Sequence, residues 1–524
     1  MTTAQSSTGR TSSDFTLPGV LRTAAARFGE RLAVVDVDAQ LTFARLLELV
    51  RETAREYAVL GLGPGERVAL WAPNSWRWEV AALGVSYAGG TLVPLNTRYT
   101  GHEVVDVLSR VDARLIVVAD GFLDRSQETE LQSAAAEAGV TLPAVVRMSA
   151  TSDTVLDRPE RRPSTVDVEL RADSVSPDDV ADILFTSGTT GRSKGACTAH
   201  RQTVSVAQTW AELGELTEDD RYLVVNPFFH SFGYKAGIVV SLVTGATIVP
   251  MPVFAATRMM QLVEEHRITV LPGAPAIYQA LLEAPDRADH DLSSLRFAVT
   301  GAAVVPVALV ERMQSDLSFD LVLTAFGMTE CVVGTMCRRG DPPELVAGTC
   351  GQAVPGLEVR VAGPGSNTPL PTGEEGEVLF RGDTVMLGYL DDPEATAEAV
   401  DPDGWLHSGD IGRLDEAGYL TITDRLKDVF FVGGFNVYPA EVEQVLARLD
   451  GVVESAVVGV PDERLGEVGK AFVVRRSGAE LDGDAVITYL KERMANFKVP
   501  REVKFVDSLP RNLAGKILKR ELRA

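Results

Sequence analysis

The sequence predicts an α/β protein: a large N-terminal domain of layered α/β sheets with a β-rich subdomain, followed by a small α+β C-terminal domain. Three observations lead there. Strand-like and helix-like segments alternate through the first two-thirds of the chain. Residues 341–424 are instead rich in Gly, Pro, Asp and Glu, with short strand candidates such as Gly376–Arg381. Beyond Arg425 a unit of about 100 residues has helices and strands of its own, enough for a separate domain. A chain of 524 residues exceeds one ordinary core. The division expected is a disordered tail at 1–13, a domain at 14–424, a boundary at 425–428 and a domain at 429–524.

Taken in order, Arg67–Trp71 reads as a strand, Trp76–Tyr87 as a helix, and Thr91–Pro94 and Leu115–Ala119 as strands. Asp182–Phe185 is a further short apolar strand. The rhythm returns with strand Thr247–Pro250, helix Ala255–His266, strand Ile268–Leu271 and helix Pro275–Leu282. Strand Leu295–Val299, helix Pro306–Leu317 and strand Leu321–Thr324 follow. In the C-terminal unit Ala440–Leu449 and Ala485–Met494 read as helices, and Ala456–Val460, Ala471–Arg475 and Val503–Val506 as strands. Residues 236–257 form the longest uncharged run. Its length suggests a membrane span, but Gly237, Gly245, Pro250 and Pro252 punctuate it. A buried helix followed by a strand explains it better.

Lys and Arg number 50 against 73 Asp and Glu, a net charge of −23. A polyanion would be repelled, which argues against nonspecific binding to nucleic acid or to anionic lipid. Cys197, Cys331, Cys337 and Cys350 form no C-x-x-C pair, and no His stands at metal-ligand spacing. The pattern argues against a disulfide framework or zinc site and suits a reducing cytoplasm. Residues 1–13 are Ser/Thr-rich and lack the apolar stretch of a signal peptide.

The most informative stretch runs from Thr186 through Ser187, Gly188, Thr189, Thr190, Gly191 and Lys194 to Gly195. Its glycines permit tight backbone and close approach of a ligand. Hydroxyls and exposed amides can wrap phosphate oxygens, and Lys194 supplies a point charge. The spacing is not that of a Walker A loop. Taken alone the residues also describe a polar surface turn; their hydroxyl density and the terminal Lys-Gly set this one apart. After the strand Leu321–Thr324 comes Phe326-Gly327-Met328-Thr329-Glu330: an aromatic face able to stack on a base, a hydroxyl for phosphate and a carboxylate for Mg²⁺. Gly301-Ala302-Ala303 leaves room for a flat base. Asp410, in Ser408-Gly409-Asp410, can accept from two ribose hydroxyls. These motifs follow one another in the order of the adenylate-forming superfamily, which comprises acyl-CoA synthetases, amino-acid adenylation domains and beetle luciferases. The chain resembles that family over nearly its whole length, from about residue 15 to 522.

The resemblance implies an ATP-dependent, AMP-forming acyl-CoA synthetase with ATP, Mg²⁺ and CoA as its cofactor and co-substrates. It assigns Thr186, Ser187, Gly188, Thr189, Thr190, Gly191 and Lys194 to the phosphates, and Thr186 and Glu330 to the metal and to catalysis. Gly301, Ala302, Ala303, Phe326, Gly327, Met328 and Thr329 flank the adenine; Phe326 replaces the more usual Tyr, so stacking survives without the phenol hydrogen bond. Asp410 and Arg425 reach the ribose. Lys427 matches a hinge about which the small, mobile C-terminal domain turns. Gly433, Gly434 and Phe435 match the CoA tunnel, and Lys516 the catalytic lysine of adenylation. His230 falls in a recognisable motif at the wall between carboxylate and nucleotide.

For the acyl group, His230, Tyr234, Lys235 and Gly301 are the candidates. The Asp that holds an α-ammonium is missing after His230, which disfavours an amino acid. Tyr234 and Lys235, on one expected helix, could meet polar oxygens of the acyl group, or Lys235 could face solvent or a carboxylate. Residues 224–239, 299–306 and 335–338 look closest to a bacterial subgroup that activates the bicyclic methyl-indanedione propanoate left by steroid degradation. A medium-chain or aryl carboxylate is the alternative, as is loading of a carrier protein. Expected partners are the carboxylic acid, ATP and CoA, a second copy of the chain, and a lysine acetyltransferase acting on Lys516. Neither nucleic acid nor a membrane span is expected, and the location expected is cytoplasmic.

Overall fold

The alternation in the sequence becomes two sheets in a first compact unit, Met1–Gly348, Val354–Leu357 and Arg381–Pro402. The computed structural model describes residues 12–149, 154–157, 166–186, 193–301, 305–363, 365–425, 428, 430–432, 435–437, 439–462, 465–491, 493–494, 496–511 and 517–523. Most of the expected tail therefore lies outside the described residues, and Ser12–Phe15 forms a single 3-10 turn.

One sheet has seven strands in the order Gly388–Tyr389, Gly195–Ala199, Val180–Phe185, Thr91–Pro94, Arg67–Trp71, Ala113–Val118, Ala144–Arg147. The last five pair in parallel and the first two are antiparallel additions. Strands of a parallel sheet are covered on both faces, so they read as unbroken apolar runs. Leu115, Ile116, Val117 and Val118 are fully buried accordingly. The helix Trp76–Tyr87 starts where Ser75 accepts from the Trp78 amide at 3.2 Å, and every residue in it except Arg77 is buried. A helix apolar on all sides belongs inside the protein.

The second sheet runs Ala39–Thr42, Leu32–Asp36, Thr247–Pro250, Arg221–Val224. Val270 carries it on, bridging Tyr222 and Phe297, to the parallel strands Phe297–Gly301 and Leu321–Phe326. The expected strand Ile268–Leu271 is thus reduced to one bridging residue. Thr269 turns its hydroxyl onto Asp220 at 2.7 Å and accepts from the Arg221 amide at 3.0 Å. The uncharged run resolves into a π-helical turn Tyr234–Val239, a short helix Val240–Thr244 and the strand Thr247–Pro250. Gly245, at φ 83°, ends the helix in the left-handed region that glycine tolerates. Among the described residues no helix is long and apolar enough to cross a membrane.

The second compact unit comprises Thr349–Ala353, Glu358–Phe380 and Asp403–Ala524. The Gly/Pro-rich segment forms the sheet Leu357–Ala362, Gly376–Gly382, Leu406–Leu414, Leu420–Arg425. The C-terminal residues form another, Phe435–Val437, Phe430–Val432, Gly466–Arg475, Val452–Asp462, with Glu502–Phe505 parallel to Gly466–Arg475. Helices Pro439–Leu446 and Gly483–Lys491 pack Val442, Leu446, Val486 and Leu490 into its core.

Candidate active site

The phosphate-loop candidate is the tip of a hairpin. Strand Val180–Phe185 pairs antiparallel with Gly195–Ala199, and Phe185 stands opposite Gly195. Ser187, Gly188, Thr189, Thr190 and Gly191 lie outside the described residues. The stem is defined: the Thr186 amide donates to the Lys194 carbonyl at 2.9 Å. Arg110 comes from the helix Gly101–Val111 and holds the returning leg. It donates to the Ser193 carbonyl at 2.5 Å and to the Ser193 hydroxyl at 3.1 Å, and its guanidinium lies over the Phe185 ring at 4.8 Å.

Tyr389 joins this stem to the carboxylate expected at the metal. It sits opposite Ala196 on the edge of the same sheet. Its ring centroid is 5.0 Å from Lys194 Nζ, and its hydroxyl donates to Glu330 Oε1 at 2.6 Å. Burial and the Glu330 charge push the phenol pKa up, so Tyr389 stays a donor. Glu330 is buried, and its carbonyl accepts from the Met386 amide at 2.7 Å. The turn that delivers it needs Gly327: a Cβ there would lie 1.9 Å from the Val332 carbonyl. Phe326 and Met328 are part-buried on either side of it, and Thr329 leads directly into Glu330.

Mg²⁺ keeps several waters and takes one or two carboxylates along with substrate phosphates. A single buried carboxylate with one oxygen fixed by a tyrosine fits that habit. Among the described residues no group of three or more side chains forms a closed metal cage. The Thr186 hydroxyl is 3.4 Å from the Lys194 carbonyl, too long to hold it strongly. Gly301 pairs with Ala325, whose carbonyl would be 2.6 Å from a Cβ at 301, so only glycine fits the close strand approach. Ala302 and Ala303 lie outside the described residues.

His230 caps the turn Ser231–Gly233. Its Nδ1 accepts from the Phe232 amide at 3.2 Å, which leaves the proton of the neutral ring on Nε2. His230 is exposed, and desolvation by the protein around it lowers its pKa below the usual 6.5. Gly233 is required here as well: a Cβ would lie 2.2 Å from the Pro227 carbonyl. The turn is pinned by Asn74. Its amide nitrogen reaches the carbonyls of Asn226 at 2.9 Å and of Val224 and Met251 at 3.3 Å, while its oxygen accepts from the Phe228 amide at 2.7 Å. Trp78 packs 5.3 Å from Phe228 and 5.8 Å from Tyr234.

Tyr234 and Lys235 do not line an open surface. Both are wholly buried, and Lys235 Nζ lies 2.9 Å from Asp182 Oδ1 on the strand that leads into the phosphate loop. Of the alternatives for Lys235, the structure shows the carboxylate partner. Burial lowers the Lys235 pKa, opposed by the Asp182 charge, and raises that of Tyr234.

In the second unit Asp410 is buried on the strand Leu406–Leu414, opposite Arg425. Its amide donates to Ser408 Oγ at 3.0 Å, and Gly409, at φ 69°, turns its own amide onto Glu377 at 3.2 Å. His407 faces the same Glu377 at 2.9 Å. Phe435 is described in its backbone only, paired with Val432. Lys427, Gly433, Gly434 and Lys516 lie outside the described residues. The four cysteines are free thiols; burial pushes Cys197 up to about 11 and Cys331 up to about 12, which disfavours their thiolates.

Sequence reading missed Tyr389, Arg110 and Asn74. None lies within the glycine-rich or aromatic motifs; each reaches the site through tertiary packing.

Residues 21–390 match the family of AMP-binding enzymes, and residues 441–516 match the AMP-binding enzyme C-terminal domain. The chain belongs to the AMP-binding enzyme family. It is 55% identical over 518 residues to a 3-(7a-methyl-1,5-dioxo-octahydro-1H-inden-4-yl)propanoyl:CoA ligase of Rhodococcus jostii, covering 97% of this chain and 98% of that one. A ligase of the same name from Mycobacterium tuberculosis is 53% identical over 512 residues, with 97% and 98% covered. Among solved structures, ATP-bound MatB of Rhodopseudomonas palustris superposes with a TM-score of 0.83 at 32% identity, over 97% of this chain and 98% of that chain.

Proposed function

We propose that this AMP-binding enzyme is an AMP-forming acid–CoA ligase whose acid is the bicyclic 3-(7a-methyl-1,5-dioxo-octahydroindenyl)propanoate. The observation that carries the chemistry is Tyr389, which groups Lys194 with Glu330 at the base of the phosphate-loop hairpin. The acid follows from two relatives that share more than half of their residues with this chain over 97% of it. Medium-chain, aryl and carrier-loading alternatives are not favoured beside them.

In the first step a carboxylate oxygen attacks the α-phosphorus of ATP, the bond from that phosphorus to the α,β-bridging oxygen breaks, and pyrophosphate leaves with its electron pair. In the second, the CoA thiolate attacks the acyl carbonyl of the acyl-adenylate, and AMP leaves with the electron pair of the broken acyl–phosphate anhydride bond. Thr186, Ser187, Gly188, Thr189, Thr190, Gly191 and Lys194 hold the phosphates. Gly301, Ala302, Ala303, Phe326, Gly327, Met328 and Thr329 border the base, and Asp410 and Arg425 take the ribose. Mg²⁺, held by Glu330 with Thr186 nearby, would neutralise phosphate charge. Lys516 stabilises the charge crowded at phosphorus. His230 keeps a neutral Nε2–H donor at the acid. Gly433, Gly434 and Phe435 pass the CoA arm, and rotation at 425–428, about Lys427, exchanges Lys516 for that tunnel.

Cytoplasmic location is part of the same reading and agrees with four free thiols. Acetylation of Lys516 by a lysine acetyltransferase rests on the resemblance of its segment, and pairing of two copies is a further expectation. The function is tested by incubating purified protein with ATP, Mg²⁺, CoA and the bicyclic acid. Mass spectrometry showing its CoA thioester with AMP supports the reading; no thioester with active, folded protein refutes it.

A further inference from the structure

Two ionisable side chains lie inside the first unit with no exposure at all: Asp182 on the strand Val180–Phe185 and Lys235 on the π-helical turn Tyr234–Val239. Their oxygen and nitrogen are 2.9 Å apart, within ion-pair distance. Thr203 donates to the other Asp182 oxygen at 3.0 Å and turns Oδ1 toward Lys235. Such a pair is a poor source of stability, since apolar residues of similar volume do as well or better. What a buried pair can supply instead is a unique register.

The register matters here because of what lies at each end. Four residues beyond Asp182 the strand reaches Thr186, the first residue of the phosphate loop. Five residues before Lys235 stands His230, whose carbonyl accepts from the Tyr234 amide at 3.0 Å. The segment between is the short α-helical turn Ser231–Gly233, and Lys235 is the second residue of the π-helical turn that follows it, a geometry that is rare and concentrated at functional sites. One side-chain contact therefore ties the turn bearing His230 to the strand bearing the phosphate loop.

We propose that the Asp182–Lys235 pair is a positioning device: it ties the helical turn that follows His230 to the strand that leads into the phosphate loop, and so fixes the acid-side wall at His230 relative to that loop. The inference rests on the function proposed above. Neither residue touches substrate; both act through the elements that carry the site.

The test is the double variant Asp182→Leu/Lys235→Met, which removes both charges and leaves neither partner stranded. Melting temperature should stay near that of the wild type. Acid-dependent pyrophosphate release should lose about 10–100-fold in kcat/KM for the acid, the loss expected from a displacement near 1 Å, with a smaller change in KM for ATP. Asp182→Asn/Lys235→Gln, which keeps a polar contact, should recover part of that loss. If the apolar double variant does not fold, Thr203→Val frees Asp182 to rotate and should raise KM for the acid by itself. Variants that keep the wild-type kcat/KM per folded molecule overturn the proposal, as does a loss equal for acid and ATP. Wild-type protein that fails to adenylate the acid refutes the functional reading instead; active wild type with unaffected variants refutes only the positioning role.

Discussion

Tyr389 reaches Glu330 from 59 residues away and fixes one of its two carboxylate oxygens. A hydrogen bond to a charged group contributes about 1.5–3 kcal/mol. Tyr389→Phe is therefore expected to cost about tenfold or more in acid-dependent pyrophosphate release, most of all at low Mg²⁺. Titrating Mg²⁺ checks it; an unaltered Mg²⁺ dependence would separate Tyr389 from the metal. Lys516→Ala should lose about 10²–10³ in adenylation while sparing thioester formation from supplied acyl-AMP. Equal losses in both half-reactions would remove Lys516 from the first step. At this scale the motif residues were legible, because phosphate and base chemistry demand contiguous Gly, Ser, Thr and aromatic residues. Tyr389, Arg110 and Asn74 were not, because each acts on a segment remote in sequence. Lys235 could not be placed either, since one charged side chain beside an apolar run reads alike whether it meets solvent or a buried carboxylate.

At the level of elements, the His230 turn shows how tightly the local chain is specified. Asn74 joins four main-chain groups around it, and Gly233 lies where a Cβ would strike the Pro227 carbonyl at 2.2 Å. Asn74→Ala leaves the Phe228 amide without its side-chain acceptor and should raise KM for the acid more than KM for ATP. Steady-state kinetics with each substrate varied decides; equal effects would make Asn74 a general support of the core. Most strands and helices of the first unit were readable from apolar runs and spacing, and Trp76–Tyr87 and Thr247–Pro250 match residue for residue. Ile268–Leu271 is reduced to a bridge at Val270, which pairs in parallel with Tyr222 and Phe297. The partner of Lys235 had no sequence signal, because Asp182 sits on a different element.

Over the whole molecule, two buried groups give stability opposite dependences on pH. His200 is held neutral by burial, its pKa depressed to about 4, and its Nδ1 accepts from the Leu17 amide at 3.3 Å. Its contribution is present above the unfolded value of 6.5 and is lost as pH falls toward 4, about 3 kcal/mol in all. Glu79 is the reverse: burial, then the nearby Asp36 charge, raises it to about 8, so stability is lost as pH rises from 4.5 to about 8. The two slopes oppose each other between 4.5 and 6.5. Glu79→Gln should flatten the melting-temperature profile between pH 6.5 and 8, and His200→Gln should remove the loss on the acid side. Profiles parallel to the wild type would mean that neither group is buried in its stated form. The proposed rotation at 425–428 is tested at this scale too: Lys427→Pro should slow thioester formation more than adenylation. The most direct test of the central claim is AMP formation with ATP, Mg²⁺ and a panel of the bicyclic acid, medium-chain acids and aryl acids, with and without CoA. CoA-dependent AMP release with the bicyclic acid far above the rest is the result predicted. Turnover of straight-chain or aryl acids in its place would contradict the acid assigned, and acyl-AMP that accumulates without response to CoA would contradict the ligase itself.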